Sequence, residues 1–259
     1  MTQNFEDKKK SKLKRIRSLL KKNISFEETN FHFNFLNSEI KKDYGLENTK
    51  NISSHGYDEF ALEIIGENSQ GLVLDCGCGS RNEYLDNVVN FEIVPYESTD
   101  VLGLGECLPF IDNSFDAVLS LNVLEHVKDP FACAKEIARV LKPSGKLYCV
   151  AAFLQPVHAF PDHYFNMTKG GMRLLFEKYL EIDRQSIIRS GLPIFTLTWI
   201  LQRWIHALPE KARDNFMSKK ISDLLAPPID YLNENFVLDL PQEMNEELAS
   251  TTALFATKI

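Results

Sequence analysis

The stretch Val73-Leu74-Asp75-Cys76-Gly77-Cys78-Gly79-Ser80 constrains this 259-residue chain more than any other. An apolar run reaches an acid, then breaks into a loop with glycine at alternate positions. That pattern is a β-strand ending in a tight turn, where backbone passes close to a ligand. The acid narrows the choice of ligand. A carboxylate beside the turn repels a pyrophosphate and suits a ligand that carries an ammonium group.

After this loop the chain alternates strand and helix, the signature of a parallel sheet covered on both faces. Strands are expected near 71–75, 88–92, 99–102, 115–120 and 146–152. Asp129-Pro130 reads as the cap and first residue of a helix, closed by Pro143 and Gly145. The connection from Glu92 to Asp100 is too short for a crossover helix. Leu180 to Ile188 and Thr251 to Ile259 alternate well enough to be a sixth and a seventh strand. Before the core, residues 26–66 read as one or more helices. Within them Tyr57 to Ile65 has helical spacing, with Ser53 or Ser54 as a cap.

Several further segments follow the glycine loop in order. Glu92 ends the apolar run Val88-Val89-Asn90-Phe91-Glu92. Then come Leu108-Pro109-Phe110, Asn113-Ser114-Phe115-Asp116-Ala117-Val118, Leu124-Glu125-His126-Val127, and Glu136-Ile137-Ala138-Arg139-Val140-Leu141-Lys142-Pro143-Ser144-Gly145. As an ordered set over about residues 70–155, they resemble the class I S-adenosylmethionine (SAM)-dependent methyltransferases, in the group with a type 11 methyltransferase domain. The resemblance implies an α/β, Rossmann-like fold: a seven-stranded, mostly parallel sheet with an antiparallel last strand and helices on both faces. An N-terminal helical extension would precede it, and a helical insertion would precede the last strand.

The resemblance also implies roles for particular residues. Gly77 and Gly79 would let backbone amides approach the methionine part of the cofactor SAM, and Asp75 would hold its ammonium group. Glu92, 17 positions beyond Asp75, would accept both ribose hydroxyls, since a carboxylate has two oxygens. Relatives place Asp-Ala before the Leu-Pro-Phe segment, where the Asp binds the adenine amino group. Here Leu104-Gly105 stands there, so backbone at Gly105 and Glu106 would recognise the base, with Leu104 on the ring. Backbone at Asn122 would contact the methionine end. Gly56 and Tyr57 could lie near the cofactor, and His126 either approaches the transferred methyl or anchors its helix.

Methyl transfer from a sulfonium needs alignment and exclusion of water, and a base only when the acceptor loses a proton. The best source of a base is His158-Ala159-Phe160-Pro161-Asp162-His163-Tyr164-Phe165-Asn166-Met167-Thr168. His163 or His158 could take a proton, Asp162 could orient an imidazole, and Tyr164 and Asn166 could bind a polar acceptor. No helical ligand spacing supports a metal site. The expected acceptor is therefore a small molecule or a sugar, methylated at oxygen.

Residues 1–50 carry 12 Lys and Arg against 7 Asp and Glu, and the remainder 17 against 29, for a net charge of −7. An acidic body argues against a nucleic-acid surface. The basic run 8–22, with Leu13, Ile16, Leu19 and Leu20 at helical spacing, reads as a solvated, partly frayed helix. Weak association with a membrane surface or RNA is the competing reading. The five cysteines follow no zinc spacing and suit a cytoplasmic location, with no signal peptide evident.

The domain reading is a basic N-terminal extension over 1–50 and a methyltransferase domain over 51–259. Within that domain, 190–245 is a helical insertion acting as lid, dimer surface or buried core helix, and no segment is long enough to span a membrane. Three other functions compete: a SAM-binding regulatory protein without catalysis, an RNA methyltransferase using the basic N-terminus, and a dehydrogenase. The last would need glycine at Asn82.

Overall fold

A computed structural model describes residues 3–46, 56–158 and 161–257. The chain divides into two compact units: Met1–Phe153 with Ala159–Gln185, and Leu154–His158 with Ser186–Ile259. This differs from the division drawn from sequence. Residues 1–50 are not a separate extension, because their described part is built into the first unit.

The first unit holds a seven-stranded sheet. In chain order the strands are β1 (Glu27–Glu28), β2 (Phe33–Asn34), β3 (Val73–Cys76), β4 (Val88–Glu92), β5 (Val101–Leu102), β6 (Phe115–Leu121) and β7 (Leu141–Val150). Across the sheet the order is β1-β2-β5-β4-β3-β6-β7, and every neighbouring pair is parallel except β1 with β2. The antiparallel member is thus the first strand, not the last. Neither 180–188 nor 251–257 is a strand, and residues 258–259 lie outside the described residues. Alternation alone does not make a strand; the segment must also bury one face against a docked edge. Leu254 and Phe255 bury almost nothing. The hairpin of β1 and β2 does have such an edge, with Phe33 buried opposite Val101 of β5. Its turn is tied by Thr29, whose Oγ1 accepts the amides of Phe31 and His32.

The pleat sorts side chains to two faces. Val73, Val88, Ala117 and Leu119 pack with Ala61 and Ile65 of α3 (Glu59–Glu67). Leu74, Val89, Val118 and Phe91 face the other way. They share a core with Leu13 and Ile16 of α1 (Gln3–Arg17), with Ile137 of α4 (Pro130–Val140) and with Leu175 of α5 (Lys169–Phe176). Helices therefore cover both faces, as expected.

The helix starts have local causes. Asp129 caps α4 by accepting Ala132 N–H at 2.9 Å, ahead of Pro130. Asp58, rather than Ser53 or Ser54, caps α3; those serines lie outside the described residues. Among the described residues between α1 and α3 the chain forms the hairpin and a short helix, α2 (Ser38–Asp43), where only helices were expected.

The basic run at the N-terminus is no frayed helix. Leu13, Ile16 and Leu20 are buried, and so are Lys9 and Lys12. Lys12 Nζ lies 2.8 Å from Asp100 Oδ2, donates to Val88 O at 2.6 Å, and sits 3.6 Å from the Tyr84 ring centroid. Lys9 donates to Thr99 O at 2.9 Å and to Glu97 O. Its amine is lowered to about 8, mainly by burial. Polar partners spaced three residues apart convert a charged helix face into a docked one.

The second unit contains α6 (Pro193–Ala207), α7 (Glu210–Ser218), α8 (Asn235–Leu238) and α9 (Gln242–Glu247). Leu208, Ala212, Phe216, Phe236 and Leu240 form its core. Trp204 Nε1 donates to Phe236 O at 2.8 Å, fixing the ring against that core. The helical insertion is thus real, but it is a unit of its own with no strand after it among the described residues. Along α6 no residue is buried. No helix among the described residues is long and apolar enough to cross a membrane.

Candidate active site

Strand order reverses between β3 and β6, so the carboxyl ends of these strands border the crevice where open α/β sheets bind ligands. Gly77 and Gly79, just past β3, have φ of +80° and +60°. A Cβ on Gly77 would fall 2.4 Å from Val123 Cγ2, so the turn is closed to any side chain. The amides are less available than the sequence implied. Gly77 N–H and Cys78 N–H donate to Phe91 O at 2.9 and 3.1 Å, and Gly79 N–H donates to Glu92 Oε2 at 2.7 Å. The glycines allow close approach of backbone; their donors already tie β3 to β4.

Asp75 is fully buried at the end of β3. Its Oδ2 accepts Tyr57 OH at 2.6 Å, Arg81 Nε at 2.9 Å and Arg81 Nη2 at 2.8 Å. Its Oδ1 has no partner. Burial pushes the Asp75 carboxyl up, while the Arg81 guanidinium and the Tyr57 hydroxyl pull it back. Arg81 also lies over the Tyr57 ring, 4.1 Å from the centroid. Tyr57 therefore does reach the site. Arg81 escaped the sequence reading, although a cation two residues after Gly79 and six after a buried acid was a legible signal.

Glu92, at the end of β4, is also buried, and burial raises its carboxyl. Its oxygens accept Gly79 N–H and Ile93 N–H, both at 2.7 Å. Val94 N–H also acts on this carboxylate and favours its ionised form. Gly105 is buried, and a Cβ there would meet Cys133 Sγ at 2.9 Å. Glu106 Oε1 accepts Lys128 N–H at 3.0 Å. Leu104 packs with the cluster of Leu36, Leu46 and Leu102. Asn122, just past β6, has φ of +57°, a conformation Asn tolerates better than most residues.

The segment after β7 brings two imidazoles together. The rings of His126 and His163 meet edge to face at 5.5 Å. His126 Nδ1 lies 2.7 Å from Asp162 O, and a carbonyl can only accept. Nδ1 therefore carries the proton, and in the neutral ring Nε2 is the basic nitrogen. His163 Nε2 faces Phe165 O and Asn166 Oδ1, both at 3.1 Å, so its proton sits on Nε2 and Nδ1 is basic. Asp162 does orient an imidazole, but through its backbone; its carboxylate accepts the His163 amide at 2.8 Å. His158 belongs to the second unit, where Nδ1 lies 2.8 Å from Pro156 O and the ring packs 5.0 Å from Trp199.

Glu125 anchors this segment. Its carbonyl accepts Tyr164 N–H at 2.8 Å and Phe165 N–H at 3.2 Å. Its carboxylate is fully buried, with Oε1 3.3 Å from Ala152 N and Oε2 without a partner. Burial raises this acid to about 7. Its identity within Leu-Glu-His was visible in the sequence; its isolation was not.

Residues 74–149 match the methyltransferase domain family. An uncharacterized protein of Methanocaldococcus jannaschii is 35% identical over 131 residues, 46% of this chain and 57% of that protein. A demethylmenaquinone methyltransferase of Corynebacterium glutamicum (strain R) is 53% identical over 57 residues, 22% of this chain and 24% of the relative. A solved SAM-dependent methyltransferase from Methanosarcina mazei shows 20% identity and a TM-score of 0.40, over 53% of this chain and 93% of its own. The chain spans about half the length of the first curated relatives it matches. The glycine turn and the strand-end acids Asp75 and Glu92 lie within the matched stretch, so this part of the larger unit is similar to a methyltransferase domain.

Proposed function

We propose that this chain transfers a methyl group from SAM to an oxygen of a polar small molecule or sugar. One observation carries the cofactor part: at the end of β3 a fully buried carboxylate keeps one oxygen without a donor, beside a turn that only glycine fits. The residues fit such a cofactor. Asp75 Oδ1 would take its ammonium group, Glu92 its ribose hydroxyls, and backbone near Asn122, Gly105 and Glu106 would line the rest. When bound, SAM supplies a methyl group on a sulfonium together with the leaving group.

The chain's own task is then to hold the acceptor and remove its proton. His126 and His163 support this, because backbone carbonyls set their tautomers and leave one basic nitrogen on each ring. Tyr164 and Asn166 lie in the same segment and offer hydrogen bonds to a polar acceptor. The five cysteines are all unbridged, which supports work in the cytoplasm.

Calorimetric titration of the chain with SAM, S-adenosylhomocysteine and NAD tests the cofactor. Binding of the two adenosyl compounds is expected, and binding of NAD alone would overturn the proposal. Transfer of labelled methyl from SAM to panels of hydroxylated and amino acceptors tests the atom methylated. Turnover confined to amines would refute the choice of oxygen.

A further inference from the structure

We propose that the first turns of α6 are a membrane-surface anchor, in which Ile194, Phe195 and Leu197 enter the headgroup region of an anionic phospholipid bilayer. The proposal is independent of the SAM reading above. α6 carries an apolar stripe at helical spacing: Ile194, Leu197, Leu201, Trp204 and Ile205. In its second half the stripe is used inside the unit, where Leu201, Trp204 and Ile205 pack against the core around Phe216 and Phe236. The first half is left uncovered. Ile194, Phe195 and Leu197 are 56%, 54% and 52% exposed, and Leu192 just before them is 46% exposed. Residues two apart on a helix point about 160° apart, so Phe195 and Leu197 make this end apolar on opposite sides.

A bilayer suits this end better than a protein groove does. A helix in a groove offers its partner one stripe, whereas acyl chains surround an apolar end from several sides. Thr198 Oγ1 donates back to its own helix, to Ile194 O at 2.7 Å, with Phe195 O at 3.1 Å. Its hydroxyl therefore keeps a hydrogen bond where no water is present. Charge agrees as well. No Asp or Glu lies between Asp183 and Glu210, in a chain that has 36 of them. Arg189, just before the helix, is exposed and in no salt bridge among the described residues, and a cation there is drawn to anionic headgroups. Arg203, farther along, is already held by Glu247. From Leu192 to Thr198 the chain advances about 9 Å at about 1.5 Å per residue, within the depth of about 5–10 Å that interfacial helices reach. Trp199 follows at the inner limit of this end, where an indole favours the boundary between lipid and water. The basic α1 is no rival for this role, because Lys9 and Lys12 are spent inside the first unit.

The test is co-sedimentation of the full chain with vesicles of phosphatidylcholine alone or mixed equally with phosphatidylglycerol, together with quenching of tryptophan emission by brominated phosphatidylcholine. Both tryptophans, Trp199 and Trp204, lie on α6, so the emission reports on that helix. The wild type is expected to sediment with the mixed vesicles and to be quenched. Ile194→Ser combined with Phe195→Ser should weaken partitioning by about tenfold or more, and Phe195→Leu should keep it. Arg189→Gln should lose about fivefold on the mixed vesicles and nothing on phosphatidylcholine. Thermal melting of each variant checks the fold, and Arg189→Gln serves if the Ser variant does not fold. No sedimentation of the wild type, sedimentation without quenching, or equal partitioning of wild type and Ser variant overturns the proposal. So does a dimer in analytical ultracentrifugation that the Ser variant abolishes while vesicles bind neither protein, which would assign this end of α6 to a second copy of the chain.

Discussion

Glu125 offers the sharpest test of the physical argument, because its carboxylate is fully buried, with Ala152 N 3.3 Å from Oε1 and no partner on Oε2. Burial raises the acid from 4.5 to about 7. The folded protein therefore holds this proton more tightly than the unfolded chain does. Its contribution to stability is complete below pH 4.5, shrinks as pH rises, and is gone above about 7. At about 1.4 kcal/mol per pH unit, a rise from 4.5 to about 7 amounts to about 3 kcal/mol. Glu125→Gln keeps the shape and an acceptor for Ala152 N–H but cannot ionise. Urea unfolding of wild type and variant from about pH 5 to about pH 8 reads the difference, followed by a probe in the sheet-containing unit. The variant should gain on the wild type steadily across that range, by about 2–3 kcal/mol in total. Lys9, at about 8, contributes with the opposite sign and mostly at higher pH, and it acts on both proteins alike. Two parallel profiles, within about 0.5 kcal/mol throughout, would refute the claim that this carboxyl is desolvated and unpaired.

Gly77→Ala should destabilise the first unit by about 2–4 kcal/mol and abolish SAM binding, since φ is +80° and the new methyl would strike Val123; unchanged denaturation would show the turn to be looser than described. Lys12→Ala should cost about 3–5 kcal/mol by stranding Asp100, whereas Lys12→Met with Asp100→Asn should recover most of that loss; a double-mutant cycle in denaturant measures the coupling. Asp129→Ala removes the cap of α4 and should cost about 1 kcal/mol, read as a shift of the urea midpoint. His126→Ala should lower methyl transfer by about 10²–10⁴-fold with SAM affinity kept; retained turnover would exclude His126 as the base.

The sheet's centre was legible because its signals are local. Val73–Cys76, Val88–Glu92 and Phe115–Leu121 are short apolar runs bounded by turn residues, and Asp129-Pro130 carries its own cap chemistry. The edges were not. Glu27–Glu28 has no strand-like pattern and pairs because a hairpin finds a docked neighbour in β5, while the alternating 251–257 finds none. The site divided in the same way. Asp75, Gly77, Gly79 and Glu92 announce themselves by type and spacing. Which donors each one has left depends on β4, Arg81 and Tyr57, which approach from other parts of the chain.

The order of apolar runs, the acids at their ends and the glycines after the first of them were determined by the sequence, since each follows from the properties of a few adjacent residues. Only the tertiary structure decided that Lys9 and Lys12 are buried, that the antiparallel strand comes first, that His158 and His163 fall in different units, and that one oxygen of Asp75 is left without a donor. Those outcomes depend on partners far apart in the chain. A side chain's charge state and remaining hydrogen-bonding capacity are set by the groups packed around it.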